Sequence, residues 1–498
     1  MSQKNSKSLS GEVFKGTKWY TAMRWSMRGL GFISSAVLAR LLLPEDFGLV
    51  AIVMVICGFL FIIFDFGVNW ALVQNNKATD DHFDTAWTLR LIESLAIAAL
   101  LGGFSTLIAS SYGDIRLEAI CQILAVGTVI RGFENIGTVK FLKDMKFSKD
   151  FLNNVLPKVV STFITIGLAF YYKSYMALVL GTVLHNIVVV VISYLIVSYR
   201  PKFSFKKLSD IWGFSQWMLV RNTADYICEQ GDLLLLSLIT TPSNIGFYRW
   251  STELSFMAIS EVQEPFERAV VPAMAKIKDD QDRLIGAYLK AMSMLVLVAT
   301  PIALGFGGVA LEFIPIFLGG GDKWLPIVPI IEGLVIFAMF TSLYQTSIDL
   351  LTISGNIKYT AYIFWVQALV TIASLYPAYV LLGLEGVAYS RALIGLIMFF
   401  VVSRLVVRIC QVTFRQIVAA TWRPVLSGGV MYIVLVNISG LWLLEDWFIL
   451  IIKIILGAII YVSLILILWW LSGRPESGEK TLLDSALKRF CSITDRVS

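Results

Sequence analysis

The sequence predicts an all-α polytopic membrane protein with about 14 transmembrane helices. Of its 498 residues, 57% are hydrophobic and only 15% are charged, and the mean hydropathy is +0.75. Soluble domains carry roughly 25% charged residues, so this chain has too few to surround a water-soluble core. At about 20 apolar residues per span, the apolar content suffices for on the order of 14 spans. The long apolar runs argue against an outer-membrane barrel, whose strands alternate over about ten residues.

Hydropathy over a window of about 19 residues places the individual spans. They are predicted at residues 19–43, 47–74, 84–110, 115–139, 150–172, 175–199, 210–239, 244–274, 284–317, 323–353, 357–382, 385–410, 416–440 and 446–471. The third and fourth spans are the least apolar, because Arg90 and Glu93 interrupt one and Arg131 and Glu134 the other. If one of them is re-entrant, the count falls to about 12 or 13.

Lysines and arginines are distributed very unevenly between alternate loops. One set of loops, which includes both termini, carries most of them, for example Lys140, Lys143, Lys146, Lys149, Arg200, Lys202, Lys206 and Lys207. The opposite set carries Arg116, Lys173 and Lys323. Because cytoplasmic loops hold the excess of positive charge, both termini are predicted to be cytoplasmic. The net charge of +6 is therefore interpreted as a topology and anionic-lipid signal rather than a nucleic-acid patch.

An internal repeat relates the two halves of the chain. At an offset of 198 residues, Trp19 aligns with Trp217, Pro44 with Pro242 and Gly48 with Gly246. The repeat predicts two pseudo-symmetric six-helix lobes at 1–200 and 209–410, joined by a basic cytoplasmic linker at 201–208. Two additional helices at 411–472 and a cytoplasmic amphipathic tail at 473–498 complete the prediction. Parallel lobes of this kind are a transporter architecture, with the substrate held between them near the midplane.

Charged residues inside the predicted spans indicate where a substrate binds. Each costs about 2.5 to 3.5 kcal/mol on insertion scales, so it usually faces a cavity or a partner. Arg24 and Arg28 lie four residues apart in the first span and share a helix face. One face of the seventh span carries Arg221, Asp225, Glu229 and Asp232. Arginines in a cavity suit a phosphate or diphosphate, because the guanidinium donates two parallel hydrogen bonds and stays charged.

These residues form two candidate groups. The candidate diphosphate-binding residues are Arg24, Arg28, Arg90 and Arg221. The candidate ion-coupling or cavity carboxylates are Asp65, Asp225, Glu229 and Asp349. The sequence leaves open whether the residues of either group contact the substrate or only form internal salt bridges. It also leaves open whether the carboxylates couple transport to a gradient of H⁺ or Na⁺. Neither a catalytic residue, a metal site nor a cofactor is predicted, since the five cysteines are dispersed without ligand spacing.

Two hairpins carry a family resemblance. The first contains LARLLLPEDFGLVAI at 38–52 and FDFGVNWALVQ at 64–74, and the second contains IGFYRWSTEL at 245–254 and VVPAMAKIKDD at 270–280. These segments resemble the polysaccharide transporter (Wzx-type) branch of the multidrug, oligosaccharidyl-lipid and polysaccharide exporter superfamily. The resemblance implies a V-shaped, two-lobe flippase of the bacterial cytoplasmic membrane. Such a flippase moves a polyprenyl-diphosphate-linked oligosaccharide to the outer leaflet for lipopolysaccharide, exopolysaccharide or capsule synthesis.

The resemblance also implies partners and leaves alternatives. Membrane lipids and a polysaccharide polymerase or other assembly protein are the implied partners, and nucleic acid is not among them. A cation-coupled drug or metabolite antiporter of the same superfamily would share the fold and the carboxylates but has less need for paired arginines. A membrane-embedded glycosyltransferase is disfavoured, because the predicted outward loops are only a few residues long.

Overall fold

The computed structural model describes residues 2–64, 67–74, 77–144, 146–438, 446–475 and 478–480, and within these ranges it leaves out some side chains, chiefly those of 2–18 and 209–222. Sixteen α-helices run through this part of the chain. They are α1 (Ser2–Leu41), α2 (Pro44–Phe64), α3 (Val68–Gln74), α4 (Asp80–Gly103), α5 (Ser105–Tyr112), α6 (Arg116–Gly132), α7 (Val139–Lys143), α8 (Phe147–Tyr172), α9 (Met176–Ile196), α10 (Leu208–Ile239), α11 (Pro242–Ala275), α12 (Gln281–Leu318), α13 (Val328–Ile353), α14 (Ile357–Cys410), α15 (Phe414–Asn437) and α16 (Asp446–Leu471). Short 3₁₀ helices occupy Ile136–Thr138 and Gly321–Ile327.

These helices confirm the predicted all-α polytopic membrane fold. Within the described ranges, nine helical stretches are long and apolar enough to cross a membrane. Three predicted spans are interrupted in the structure. The predicted third span is divided between α4 and α5 after Gly103, and the α-helix of the predicted fourth span ends at Gly132. The predicted second span ends as a helix at Phe64 and resumes as the separate helix α3. The predicted boundary between the eleventh and twelfth spans is confirmed, because α14 is interrupted at Gly383, whose φ of 63° and ψ of −144° are not helical and are accessible only to glycine.

The chain divides into two compact units. The first comprises residues 1–246 and 318–320, and the second comprises residues 247–317 and 321–498. The boundary therefore falls inside α11, directly after Gly246. The division into repeats at 1–200 and 209–410 is based on the sequence and stays a prediction.

The first unit places α2, α4, α6 and α9 side by side. Helix α8 packs against α1 and α9, while α6 packs against α2, α4 and α9. Leu38 of α1 and Leu42, directly after this helix, share an apolar cluster with Ala169 of α8 and Ala177 of α9. Small side chains at this contact allow close approach of the helices, which is the usual way in which transmembrane helices pack.

The second unit contains two buried ion pairs. Its core is built on the packing of α13 against α14 and extends to α16. Nζ of Lys453 on α16 lies 2.5 Å from Oε1 of Glu312 on α12. Nε of Arg423 on α15 lies 2.9 Å from Oε1 of Glu479 at the start of the tail. Breaking a buried pair leaves an uncompensated charge and costs about 3–5 kcal/mol, so these contacts fix α16 and the start of the tail in place.

The aligned Pro–Gly positions of the sequence repeat contact each other within the first unit. Helix α2 begins at Pro44 and α11 at Pro242, and proline is favoured at a first helical position because its missing N–H needs no partner there. A Cβ atom placed on Gly48 would lie 1.7 Å from the carbonyl oxygen of Pro242, and one placed on Gly246 would lie 1.9 Å from that of Pro44. Only glycine lets the two backbones approach this closely. The reciprocal contact therefore explains why glycine occupies both of these aligned positions.

Acidic residues of the same turn connect it to neighbouring hairpins. Asp46 accepts a hydrogen bond from the backbone N–H of Tyr175 at 2.7 Å. Glu45 pairs with Arg116, which also binds Asp114. The hydrogen bond from Arg116 holds the pKa of the Asp114 carboxyl below its usual value. Residues 44–46 thus connect the hairpin of α1 and α2 with the hairpin of α5 and α6 and with that of α8 and α9. All three turns lie at the side that is predicted to face outward.

The linker between the repeats binds along the start of α4. Asp84 accepts hydrogen bonds from the hydroxyl of Tyr199 and, at 2.9 Å, from the backbone N–H of Lys202. Thr88 accepts a further hydrogen bond from the backbone N–H of Ser204 at 3.0 Å. Burial, together with the bond to Asp84, raises the pKa of the Tyr199 phenol. The segment at residues 199–207, which the sequence shows only as a basic linker, is therefore attached to the N-terminal helices.

Candidate functional site

The candidate site in the first unit is a pair of arginines that share one carboxylate. Arg90, on α4, donates hydrogen bonds to Oδ1 of Asn69 at 2.6 Å and to Oε2 of Glu134 at 3.5 Å. Nε of Arg131, in the last turn of α6, lies 3.3 Å from the same oxygen of Glu134. One carboxylate thus faces two guanidinium groups, which stay charged at any physiological pH. Among the residues that the structure describes, this cluster therefore carries surplus positive charge.

The turn that follows α6 holds Glu134 in position. The next residue, Asn135, is fully buried and anchors the turn through three hydrogen bonds. Its backbone N–H donates to Oγ of Ser193 at 3.0 Å, and its side-chain amide donates to the carbonyl of Tyr199 at 2.7 Å. Its Oδ1 accepts from the N–H of Gly137 at 2.9 Å. Since the partners come from α9 and the linker, both elements help to fix the carboxylate between the arginines.

A cavity of about 370 Å³ lies between α2, α6 and α9 of the same unit. It is lined by Met54, Cys57 and Phe61 from α2, by Leu124, Thr128 and Arg131 from α6, and by Thr182 and Asn186 from α9. Small-molecule sites typically occupy about 300–1,000 Å³, so this cavity has the volume of a small ligand site. Arg131 belongs both to the lining and to the arginine pair, and it therefore connects the two.

The predicted arginines of the first span lie on α1. Arg24 and Arg28 are one helical turn apart and both are half-buried. In the same helix, Trp19 packs edge-on against Phe151 of α8, with 5.2 Å between the ring centroids. The helix confirms the shared face that the four-residue spacing predicts. Diphosphate binding by these two residues stays a prediction.

The other predicted site residues are scattered. Three fall outside the part of the chain that the structure describes, namely Asp65 and the side chains of Arg221 and Asp225. Glu229 lies exposed on α10. Asp349 lies on α13 in the second unit, within electrostatic range of Glu267 on α11. Of the predicted residues, Arg90 is therefore the one that the described structure places in the arginine cluster.

Three members of the cluster, Asn69, Arg131 and Glu134, are not among the predicted site residues. Arg131 and Glu134 interrupt an apolar span at a spacing of three, which is a recognisable signal for an ion pair on one helix face. Asn69 carries no comparable signal, because its partner Arg90 is 21 residues away along the chain.

Comparison with known proteins adds independent information. A protein-family model described as "Polysaccharide biosynthesis protein" matches residues 37–329. The lipopolysaccharide biosynthesis protein WzxC of Escherichia coli (strain K12) is 22% identical over 339 residues, which cover 67% of this chain and 68% of that protein. The teichuronic acid biosynthesis protein TuaB of Bacillus subtilis (strain 168) is 22% identical over 440 residues, which cover 87% of this chain and 90% of that protein.

Solved structures show the same fold. The lipid II flippase MurJ, in an inward closed conformation, matches 90% of this chain and 98% of its own with a TM-score of 0.72 at 16% identity. An inward-facing multidrug resistance transporter of the MATE family matches 82% of this chain and 96% of its own with a TM-score of 0.59 at 14% identity. At these identities the likeness shows the fold alone, and that fold is shared by both of these transporters.

Proposed function

Because this chain belongs to the polysaccharide biosynthesis protein family, we propose that it is a flippase for polyprenyl-diphosphate-linked oligosaccharide. The membership confirms the Wzx-type resemblance of the two hairpins. In this proposal the lipid-linked glycan crosses the bacterial cytoplasmic membrane by alternating access and enters lipopolysaccharide, exopolysaccharide or capsule synthesis. The names of the relatives support the substrate class, and the fold shared with a lipid II flippase supports the transport step.

The observation that carries the proposal is the ratio of two guanidinium groups to one carboxylate at Arg90, Arg131 and Glu134. Two arginines with two carboxylates would form neutral pairs and have no remaining charge for a ligand. With one carboxylate among its described members, the cluster keeps a positive charge next to a cavity. A diphosphate provides several anionic oxygens in the geometry that guanidinium groups bind in a bidentate way.

The diphosphate is assigned to the predicted residues Arg24, Arg28, Arg90 and Arg221, and the structure adds Arg131 as a candidate. Arg90 and Arg131 exchange part of their contact with Glu134 for phosphate oxygens when the substrate enters. Charge-assisted hydrogen bonds of full strength are about 2.7–2.9 Å long. The contacts to Glu134 are longer, at 3.5 Å and 3.3 Å, so comparatively little is lost in this exchange.

The remaining parts of the proposal concern coupling, lipid and partners. The proposed coupling groups for a gradient of H⁺ or Na⁺ are Asp65, Asp225, Glu229 and Asp349. The isoprenoid chain stays in the lipid along α15 and α16, where Ile451, Ile455 and Ile459 are exposed and apolar. Both termini are proposed to be cytoplasmic, and a polysaccharide polymerase or other assembly protein is proposed to receive the glycan outside.

A deletion strain tests the function directly. Lipid-linked oligosaccharide should accumulate on the cytoplasmic leaflet, and the wild-type gene should restore export. Arg24→Ala and Arg28→Ala should abolish export without lowering the amount of folded protein, because each removes a diphosphate contact. Arg404→Ala, at an exposed arginine of α14, is the matched control and should export normally.

Two outcomes count against the proposal. Normal surface polysaccharide in both arginine variants would overturn the assignment of Arg24 and Arg28. Absence of trapped lipid-linked oligosaccharide in the deletion strain would overturn the flippase function and favour the cation-coupled antiporter.

A further inference from the structure

We propose that the cavity between α2, α6 and α9 binds one sugar ring of the translocated glycan, an inference that rests on the proposed flippase function. Its volume of about 370 Å³ is near the lower end of the range for small-molecule sites, which suits a single ring rather than a whole oligosaccharide. All described lining residues lie on three helices, so helix packing rather than a loop sets the shape of the cavity.

The wall of the cavity is mainly apolar, and its few polar groups are mostly hydrogen-bond acceptors. The hydroxyl groups of Thr128 and Thr182 each donate at 2.9 Å to the backbone carbonyl four residues earlier. A hydroxyl has a single proton, so each of these oxygens can only accept a further hydrogen bond. The amide of Asn186 donates one N–H to the carbonyl of Gly127 at 3.0 Å. Its carbonyl oxygen and second N–H have no partner among the described residues.

Arg131 adds strong donors to these acceptors. Its Nε lies toward Glu134 at 3.3 Å, and the guanidinium carries four further N–H bonds on its terminal nitrogens. The cavity thus combines three acceptor oxygens from Thr128, Thr182 and Asn186 with one guanidinium. The remaining lining residues, Met54, Cys57, Phe61 and Leu124, are apolar.

This combination fits a hydroxylated ring better than an ion. A sugar hydroxyl donates one hydrogen bond and accepts another, so it can use a threonine oxygen and the guanidinium together. Its C–H faces can contact the apolar residues. A phosphate group only accepts, and the two threonine oxygens cannot donate to it. A metal cation is repelled by Arg131, and the described lining includes no carboxylate of the kind that such cations prefer.

The arginine pair places this subsite close to the proposed diphosphate position. Arg131 lines the cavity and shares Glu134 with Arg90, so one side chain can contact both the sugar and the phosphate region. A ring attached close to the diphosphate therefore reaches the cavity while the phosphates are held by the arginines.

The test compares two lipids on the purified full-length chain in nanodiscs. The probes are radiolabelled polyprenyl diphosphate and the same lipid carrying a single N-acetylhexosamine. Wild-type protein should bind the sugar-bearing lipid more tightly. Thr182→Val removes one acceptor and should weaken binding of the sugar-bearing lipid about fivefold, since a hydrogen bond is worth about 1 kcal/mol net. Binding of the bare lipid should not change.

Further variants keep the test decisive. Thr128→Val should act in the same way from another helix if Thr182→Val fails to fold. Thr182→Leu narrows the cavity and should weaken binding of the sugar-bearing lipid by more than about tenfold, without changing binding of the bare lipid. Thr165→Val is the matched control, because this hydroxyl also donates to a carbonyl four residues earlier, at 2.8 Å, but does not line the cavity.

The outcomes separate the two proposals. Wild-type protein that binds neither lipid would overturn the flippase function together with this inference. Equal binding of both lipids by wild-type protein would overturn the sugar subsite alone. The sugar subsite alone would also be overturned if Thr182→Val and Thr128→Val left the preference for the sugar-bearing lipid unchanged. Equal weakening of the binding of both lipids would have the same meaning.

Discussion

Replacing Gly48 with alanine should disrupt the contact between the two helix starts. The added Cβ would lie 1.7 Å from the carbonyl oxygen of Pro242, whereas real Cβ contacts are essentially never shorter than 3.0 Å. The helices must therefore separate by at least 1.3 Å at this point. The obstructing atom belongs to the backbone, so no side-chain rotation can relieve the clash. Overpacking of this kind costs about 1–3 kcal/mol, and we expect the upper part of that range.

The assay is thermal unfolding of the purified chain in detergent, together with surface polysaccharide in cells. Gly246→Ala should behave like Gly48→Ala, because its Cβ would lie 1.9 Å from the carbonyl oxygen of Pro44. The double variant should lose less thermal stability than the sum of the two single losses, since both changes act on one contact. Gly167→Ala, on α8, is the matched control, because a Cβ there meets nothing within 4 Å.

Unfolding temperatures and export equal to those of the Gly167→Ala control would refute the reasoning. That result would mean that α2 and α11 do not meet at these glycines in the folded protein. A large effect of Gly48→Ala with none from Gly246→Ala would also contradict it, because the contact is reciprocal.

Three further predictions concern charged groups. Lys453→Met or Glu312→Gln alone should lower the free energy of unfolding by about 3–5 kcal/mol, and the double variant should recover much of the loss in denaturation experiments. Tyr199→Phe removes the hydrogen bond to α4 and should speed trypsin cleavage within residues 199–207, whereas unchanged cleavage would show that the linker is held by other contacts. The folded-state pKa of Asp114 is depressed, so its stabilising contribution is present above the ordinary value of 3.8 and is lost as the pH falls through the depressed pKa. The stability difference between wild type and Asp114→Asn should therefore shrink on acidification, and a difference that grows would contradict this assignment.

The spans were predictable because lipid imposes one simple rule on the backbone. Every N–H and C=O in the hydrocarbon core must be bonded within its own segment, so long apolar runs form helices. The aligned Pro–Gly pairs of the predicted repeat also have a physical reason. Proline is favoured at the first position of a helix, and the contact between the starts of α2 and α11 requires glycine at positions 48 and 246.

The arginine cluster could be predicted only in part. The polar character of Arg90 and Arg131 inside apolar spans was visible, but the contact of Arg90 with Glu134 joins residues 44 positions apart. A hydropathy window covers about 20 consecutive residues, so it carries no information on contacts between residues farther apart along the chain. The attachment of the linker to α4 was not predictable either. It depends on backbone N–H groups that bind side chains such as Asp84 and Thr88, and such contacts leave no periodic pattern.

The buried pair of Lys453 and Glu312 also bears on biogenesis. A lysine inside a span costs about 2.5–3.5 kcal/mol on insertion, and the many apolar residues of α16 can offset this cost. Glu312 is synthesised earlier and enters the bilayer with its neighbours before its partner exists. A chain that stops before α16 therefore retains the Glu312 carboxylate among apolar helices without the lysine that pairs with it. That unpaired carboxylate distinguishes a truncated translation product from a complete one.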